Sequence, residues 1–255
     1  MPSQPFNPPA GPELPATWPE LGWSPAPEQQ RCFQHLYEAV LLGNQRMNLT
    51  RVTAPQDFWE KHLWDSLRGI QPFLTQQDHP GPYCVIDIGT GAGFPGLPAA
   101  IAAPQWTVTL LDSTQKKVAF LGEAVQYLKL ANAIPLAARA EAVGQRPQHR
   151  GCYDLALIRA VAPAAVCAEY ALPLLKPGGS AVLYRGQWSS EETALLEPVV
   201  AQLGGKIWQI EQFTTPLSHG DRHCITLRKS APTPDQFPRE IGVPAKHPLL
   251  ALAQT

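Results

Sequence analysis

The chain has 255 residues and a formal net charge of −1 at pH 7, with 20 Lys and Arg against 21 Asp and Glu. That balance excludes a polycation holding nucleic acid by bulk field, so any nucleic-acid contact must come from a local basic patch. Hydrophobic residues (44%) suffice for a core, no apolar run approaches the ~18 residues of a membrane span, and five scattered cysteines without a Cys-x-x-Cys pair argue for reduced thiols in the cytoplasm.

Residues 1–27 carry proline every few positions, which denies helical hydrogen bonds and predicts an irregular arm, pinned at its end by Trp18, Leu21 and Trp23. Residues 28–79 read as a helical segment. Cys32, Phe33, Leu36, Tyr37, Val40 and Leu41 share one face of a helix that stops near Gly43, and Phe58, Trp59, Leu63, Leu67 and Ile70 predict a second helix. Over 80–229 short apolar runs alternate with helical ones. Strands are expected at 84–88, 107–112, 134–138, 153–158, 180–185, 206–213 and 222–228, and helices at 96–103, 114–130, 164–175 and 190–202, with a turn around Glu141. Such alternation predicts an α/β fold, a mostly parallel sheet covered on both faces. Only TTPLSHGD separates the last two strands, which are expected to pair antiparallel. Residues 230–255 form a proline-rich basic tail in which Ile241, Val243, Leu249 and Leu250 predict packing back onto the body.

The most informative run is VIDIGTGAGFPG, residues 85–96, a strand that ends in a glycine loop and leads into a helix. Residues without side chains let the backbone approach a ligand closely. Gly91, Gly93 and Gly96 match G-x-G-x-x-G, so a nicotinamide-dependent oxidoreductase stands as one reading. Against it, Asp87 before the first glycine would repel a pyrophosphate and suit a cationic amine, and Pro95 removes an N–H that a phosphate would want. Asp112 closes the second strand, where an acid either bonds the ribose hydroxyls of an adenosine or caps the helix that follows; Ser113 and Thr114 join it as candidate cofactor contacts. The seven histidines show no ligand spacing, and no metal site is expected.

The loop, followed by LLDSTQKKVAFL (110–121), ARAE (138–141) and YDLALIRA (153–160), resembles the bacterial small-subunit ribosomal RNA 7-methylguanosine methyltransferase family, also called the glucose-inhibited division protein B family. NLTRV (48–52), HLWDSL (62–67), YRGQ (184–187), GDRHCITLRK (220–229) and FPREIGVPAKHPL (237–249) are similar to further parts of it, although many members carry lysine where this chain has Arg185. The resemblance implies a Rossmann-like class I methyltransferase with a seven-stranded, mostly parallel sheet whose last strand is antiparallel. It implies S-adenosylmethionine as cofactor and N7 of a guanine in 16S ribosomal RNA, within the small ribosomal subunit, as target. Guanine N7 carries a lone pair and no proton, so no general base is sought.

On the same resemblance Gly89 and Phe94 line the cofactor together with Asp87, Gly91, Asp112, Ser113 and Thr114, while Ala140 and Glu141 flank its adenine. Arg159 lies beside both cofactor and base and, with Arg185, is a candidate for positioning the target. Asn48, His62, Arg139, Arg222 and His223 are the candidate RNA contacts. For each a plainer role stands beside it: a packing histidine, a turn asparagine, a surface arginine, a solvated hairpin. A methyltransferase for a small molecule or protein, and a non-catalytic RNA-binding factor, also remain open. The tail's Arg239, Lys246 and His247 are expected to join Arg222, Arg228 and Lys229 in one basic rim, so truncation after Ser230 is expected to weaken RNA binding and spare cofactor affinity.

Overall fold

The computed structural model describes residues 6–15, 18, 21–75 and 81–250. The apolar runs rich in Val, Ile and Leu pair as β1 (Cys84–Ile88), β2 (Thr107–Asp112), β3 (Ala133–Ala137), β4 (Tyr153–Arg159), β5 (Leu175–Arg185), β6 (Gly205–Thr214) and β7 (Asp221–Lys229), in the sheet order β3-β2-β1-β4-β5-β7-β6. β1 to β5 are parallel, and β7 lies antiparallel between β5 and β6. The short connection between β6 and β7 thus closes the sheet with the antiparallel hairpin expected of it. β5 begins earlier than periodicity suggests, because Leu175 already pairs with Tyr153 across an irregular register before regular pairing resumes at Ser180.

Side chains alternate across the strands and split the core into two layers. On one face Val85, Leu110, Leu155 and Val182 meet α1 (Pro27–Arg46), α2 (Pro55–Phe58), α3 (Asp65–Leu74), α4 (Gly96–Ala102) and α5 (Gln115–Tyr127). On the other Ile86, Ile88, Ala156 and Leu183 meet α6 (Ala140–Gly144), α7 (Ala164–Ala171) and α8 (Ser190–Gln202). The second N-terminal helix is not uniform: α2 and α3 are joined by a π-helical stretch, Trp59–Trp64. Within it the buried Glu60 accepts the backbone N–H groups of Leu217 (2.5 Å) and Ser218 (2.8 Å), which pins the β6–β7 connection to the helices.

The tail lies back on the body and adds only the short α9 (Val243–Lys246), but the apolar residues expected to hold it do little of the holding: Ile241 and Leu250 are 60% and 78% exposed, and Val243 and Leu249 are half-buried. Arg150 donates to the carbonyls of Phe237 (2.6 Å) and Thr233 (2.9 Å), and Gln145 to that of Pro238 (2.6 Å). The single basic rim does not form. β7 begins beside the carboxyl ends of the parallel strands and finishes at the opposite edge, so Arg228 and Lys229 lie far from Arg222, and Lys229 is buried. Arg239 is spent on the buried Glu169. Among the described residues no helix is long and apolar enough to cross a membrane.

Candidate functional site

The carboxyl ends of β1 to β4 surround a cavity of about 290 Å³, in the position where open α/β sheets hold ligands. Of the candidate residues, Gly89, Asp112, Ser113, Arg139, Ala140 and Glu141 line it, joined by Val161, Tyr170 and the tail's Ala245. Gly89 has φ +70°, and a Cβ there would stand 2.6 Å from Val161 Cγ2, so only glycine keeps this wall open. Asp112 accepts the N–H of Thr114 on Oδ1 (2.8 Å) and of Gly91 on Oδ2 (3.0 Å). Gly91 and Thr114 thus act through their backbones, fixing an acid that still has lone pairs for a second set of donors.

Glu141 forms the neighbouring wall. Its Oε1 accepts from Arg139 Nη2 (3.1 Å), the Tyr170 hydroxyl (3.2 Å) and the N–H of Gly242 in the tail (3.0 Å). Its Oε2 is buried with no partner among the described residues. Burial alone would raise its pKa, but the N–H of Gly242, its own N–H and the Arg139 guanidinium hold it below the ordinary glutamate value. A buried, ionised carboxylate with an open oxygen calls for a donor from a ligand.

Asp87 is placed differently from the expected amine contact. Strand alternation puts it on the Val85 face, under α4, where it is fully buried. Its Oδ2 accepts from Thr90 Oγ1 (2.5 Å) and from the N–H of Gly96 (2.7 Å), tying both ends of the glycine loop, while Oδ1 is left without a partner among the described residues. Burial pushes its carboxyl up to about 7, against the pull of Thr90 and Gly96.

Beside the cavity, Arg159 at the end of β4 gathers the helical segment onto the glycine loop. Nη1 donates to the Lys61 carbonyl (2.8 Å) and Asp65 Oδ2 (3.0 Å), and Nη2 meets His62 Nδ1 (3.3 Å). Because a guanidinium can only donate, His62 Nδ1 must accept, so its Nε2–H donates to Thr50 Oγ1 (2.8 Å). Burial, reinforced by the Arg159 and Lys61 charges, pushes His62 down to about 3, in keeping with the neutral ring this requires. The ring stacks on Phe94 at 4.5 Å and 10°, and the Arg159 guanidinium stands 5.7 Å from the Phe94 centroid. His62 and Phe94, distant in sequence, are thus one surface.

The remaining candidates are less concentrated. Arg222 is part-exposed, with Nε 3.9 Å from Asp65 Oδ1, so Asp65 stands between Arg159 and Arg222. Arg185 donates to the Ala162 carbonyl (2.9 Å), and its Nε is buried without a partner among the described residues. His223, opposite Arg185 in the sheet, is buried with Nδ1 2.7 Å from the Gly186 carbonyl. Asn48 is exposed, two residues before the Thr50 that holds His62. Sequence reasoning missed Asp65, Val161, Tyr170, Gly242 and Ala245. Asp65 alone had a readable signal, since it follows Lys61 and His62 at spacings of four and three within a helix.

The family model GidB, rRNA small subunit methyltransferase G, matches residues 29–225. The ribosomal RNA small subunit methyltransferase G of Nostoc punctiforme is 58% identical over 239 residues, covering 93% of this chain and 98% of its own. That of Gloeobacter violaceus is 53% identical over 237 residues, covering 93% of each. Among solved structures, the 16S rRNA (adenine(1408)-N(1))-methyltransferase of Catenulisporales acidiphilia is similar at TM-score 0.51 and 15% identity, covering 60% of this chain and 88% of that one. The cyclase SpnF is similar at TM-score 0.52 and 13% identity, covering 81% and 97%. These likenesses concern the class I methyltransferase fold, which hosts more than one chemistry. The family rests instead on identity above half along nearly the whole chain and on a glycine loop, Asp112 and Glu141 that converge on one cavity: the chain belongs to the rRNA small subunit methyltransferase G family.

Proposed function

We propose that the chain binds S-adenosylmethionine in the cavity between the glycine loop, Asp112 and Glu141, and methylates N7 of a guanine in 16S ribosomal RNA of the cytoplasmic small subunit. The observation that carries the reading is the partnerless, buried Oε2 of Glu141 on the same cavity as Asp112, an acid with lone pairs to spare. The two carboxylates suit the amino group and the ribose hydroxyls of an adenosine, and the open backbone at Gly89 lets such a ligand lie close.

When bound, the cofactor supplies an electrophilic methyl on a sulfonium sulfur. The protein's share is positioning and exclusion of water, worth up to ~7–11 kcal/mol for a well-aligned pair. N7 has no proton to lose, so a site built from arginines and a neutral imidazole, without a general base, fits the reaction. Arg159 has placed three of its five donors and holds the rest for the target base or its phosphate. Asp65 and His62 fix its plane. Asp87 acts one step back, by holding the loop.

The test is methyl transfer from labelled S-adenosylmethionine to small subunits from a strain that lacks the gene, with 7-methylguanosine read by mass spectrometry of the RNA. Label at N7 is expected with the wild-type chain and is strongly reduced with Arg159→Ala. Label on another atom, or only on small molecules or protein, overturns the assignment.

A further inference from the structure

We propose that the edge formed by β6 and β7, at the end of the sheet opposite the cofactor cavity, is a second binding site for single-stranded RNA, in which Trp208 stacks on a base while Lys206 and Arg228 hold the adjoining phosphates. The inference deepens the ribosomal RNA reading above and rests on it.

Three observations converge. First, β6 is the terminal strand of the sheet, and its register to β7 slips between Ile207 and Gln209, so Trp208 is the extra residue of a β-bulge with no ladder partner. Bulges re-aim side chains. Here an indole is thrown out to 60% exposure rather than packed. Second, Lys206 and Arg228 stand directly opposite one another across the β6–β7 pair, and Lys206 Nζ lies 5.1 Å from the Trp208 ring centroid. Like charges directly across a ladder are destabilising, and among the described residues the hydrogen bond of the Arg228 side chain goes to the neutral Ser180 hydroxyl (3.2 Å). An anion between the two removes that repulsion. Third, the cavity there, of about 490 Å³, is lined by Lys206 and Arg228 with no carboxylate among the described residues, on a chain whose net charge is −1; Lys229 borders it too, but its ammonium is buried against the Leu172 carbonyl and the Thr233 hydroxyl. An aromatic plane beside paired cations is what a single strand of nucleic acid requires. Ser180 and Arg185 mark the two ends of the regular part of β5, about 17 Å apart at the usual strand rise, so this site holds a segment away from the methylated base.

The test uses the full chain and a fluorescently labelled single-stranded oligoribonucleotide of mixed sequence, titrated over a salt series, with calorimetry of S-adenosylmethionine alongside. Trp208→Ala is expected to weaken RNA binding about tenfold, and Trp208→Phe to retain most of it. Lys206→Glu should flatten the slope of log affinity against log salt by at least ~0.7, the share of one phosphate contact. Both side chains are exposed, so folding and S-adenosylmethionine affinity should stay at wild-type values. On small subunits KM should rise with kcat unchanged, the signature of binding lost equally from ground and transition states. Unchanged RNA affinity and salt slope in both variants overturns the site, as does equal loss in Trp208→Ala and Trp208→Phe. If the wild-type chain methylates small subunits while neither variant shifts KM, the site fails and the function stands. If the wild-type chain binds the oligonucleotide through Trp208 but methylates no ribosomal RNA, the function fails and the site stands.

Discussion

The arm before α1 and the tail after β7 are both rich in proline, yet the first is held mostly by rings and apolar surface, with one N–H, that of Gly11, on the buried Glu38 (3.0 Å), and the second mostly by charge. Phe6 meets Phe120 at 6.2 Å and Tyr127 at 5.9 Å, edge to face, Trp18 lies against Phe33 and Trp59, and Leu21 is buried. In the tail, Arg239 gives its backbone N–H, Nε and Nη2 to Glu169, which is fully buried on α7, and Gly242 gives its N–H to Glu141. Proline content says only that neither stretch continues as a helix. What each stretch packs against decides the rest: an apolar groove beside α1 and α5, with Glu38 at its side, for one, and the two buried acids Glu169 and Glu141 for the other. The consequence is functional, because the tail supplies Ala245 to the cavity wall and the described part of the arm supplies nothing there.

The sharpest way to break this contrast is Arg239→Ala, which leaves Glu169 as a buried charge without its partner. Such losses cost about 3–5 kcal/mol, and denaturant unfolding should show it. S-adenosylmethionine affinity should fall as well, since Gly242 and Ala245 follow Arg239; this reverses the expectation that the tail can be cut without touching the cofactor. Adding Glu169→Gln should recover part of the stability, because no charge is then stranded. If Arg239→Ala unfolds like the wild type, charge is not what holds the tail. Next in size, Leu21→Ala in the arm should cost ~2–5 kcal/mol as a cavity mutation. Calorimetry should find its S-adenosylmethionine affinity unchanged, and a drop would show that the two ends are coupled.

The cofactor half was legible because its signals are local. The Cys84–Ile88 run and the glycines after it sit on consecutive residues, so the strand and the start of the helix could be placed to the residue and the end of the helix to within one; the helix over 190–202 was also found, and the structure adds a Ser189–Glu192 capping box at its start. The surface around Arg159 was half legible. Arg159, His62 and Phe94 could each be named, but their meeting depends on a π-helical stretch that rotates Trp59–Trp64 against the sheet, and no periodicity encodes that rotation. The tail's polar anchors were invisible for a related reason. Glu169 lies on a helix, α7, whose other buried residues are almost all apolar, and only the partner across space makes a charge there tolerable. Asp87 shows the reverse case: the residue was found, but strand alternation, which assigns it to the face under α4, had not been carried through.

Acid separates the two regions more gently. Glu141 sits below its ordinary value because Gly242 and Arg139 favour the carboxylate, so its contribution to holding the tail is complete above the unfolded value near 4.5 and fades as pH falls below it. A hydrogen bond to a charged group is worth ~1.5–3 kcal/mol, and that is the most protonation can remove here. Amide hydrogen exchange at Gly242 should therefore accelerate as the pH is lowered through this range, at intrinsic-rate-corrected values, while exchange at Ala26 at the end of the arm, whose N–H donates to the neutral Gln29, should not. Equal acceleration at both would point to global acid unfolding in place of tail release.

The smallest effect tests whether ring geometry matters in the arm at all. Phe6 has two aromatic neighbours edge-on and the Arg46 guanidinium 5.6 Å from its centroid, while Arg46 also reaches Glu123 at 3.2 Å. The ion pair is about half exposed and contributes little in water, so Arg46→Gln should shift stability by under ~1 kcal/mol. Phe6→Leu keeps most of the apolar volume and removes the quadrupole, which for edge-to-face pairs is worth ~0.5–1.5 kcal/mol beyond buried area. Phe6→Ala removes both. Urea unfolding of the three variants therefore has an expected order, with Phe6→Ala the least stable and Phe6→Leu between it and the wild type. If Phe6→Leu matches the wild type while Phe6→Ala does not, buried area alone holds the arm, and its contrast with the tail becomes one of apolar surface against charge, with no part for the orientation of the rings.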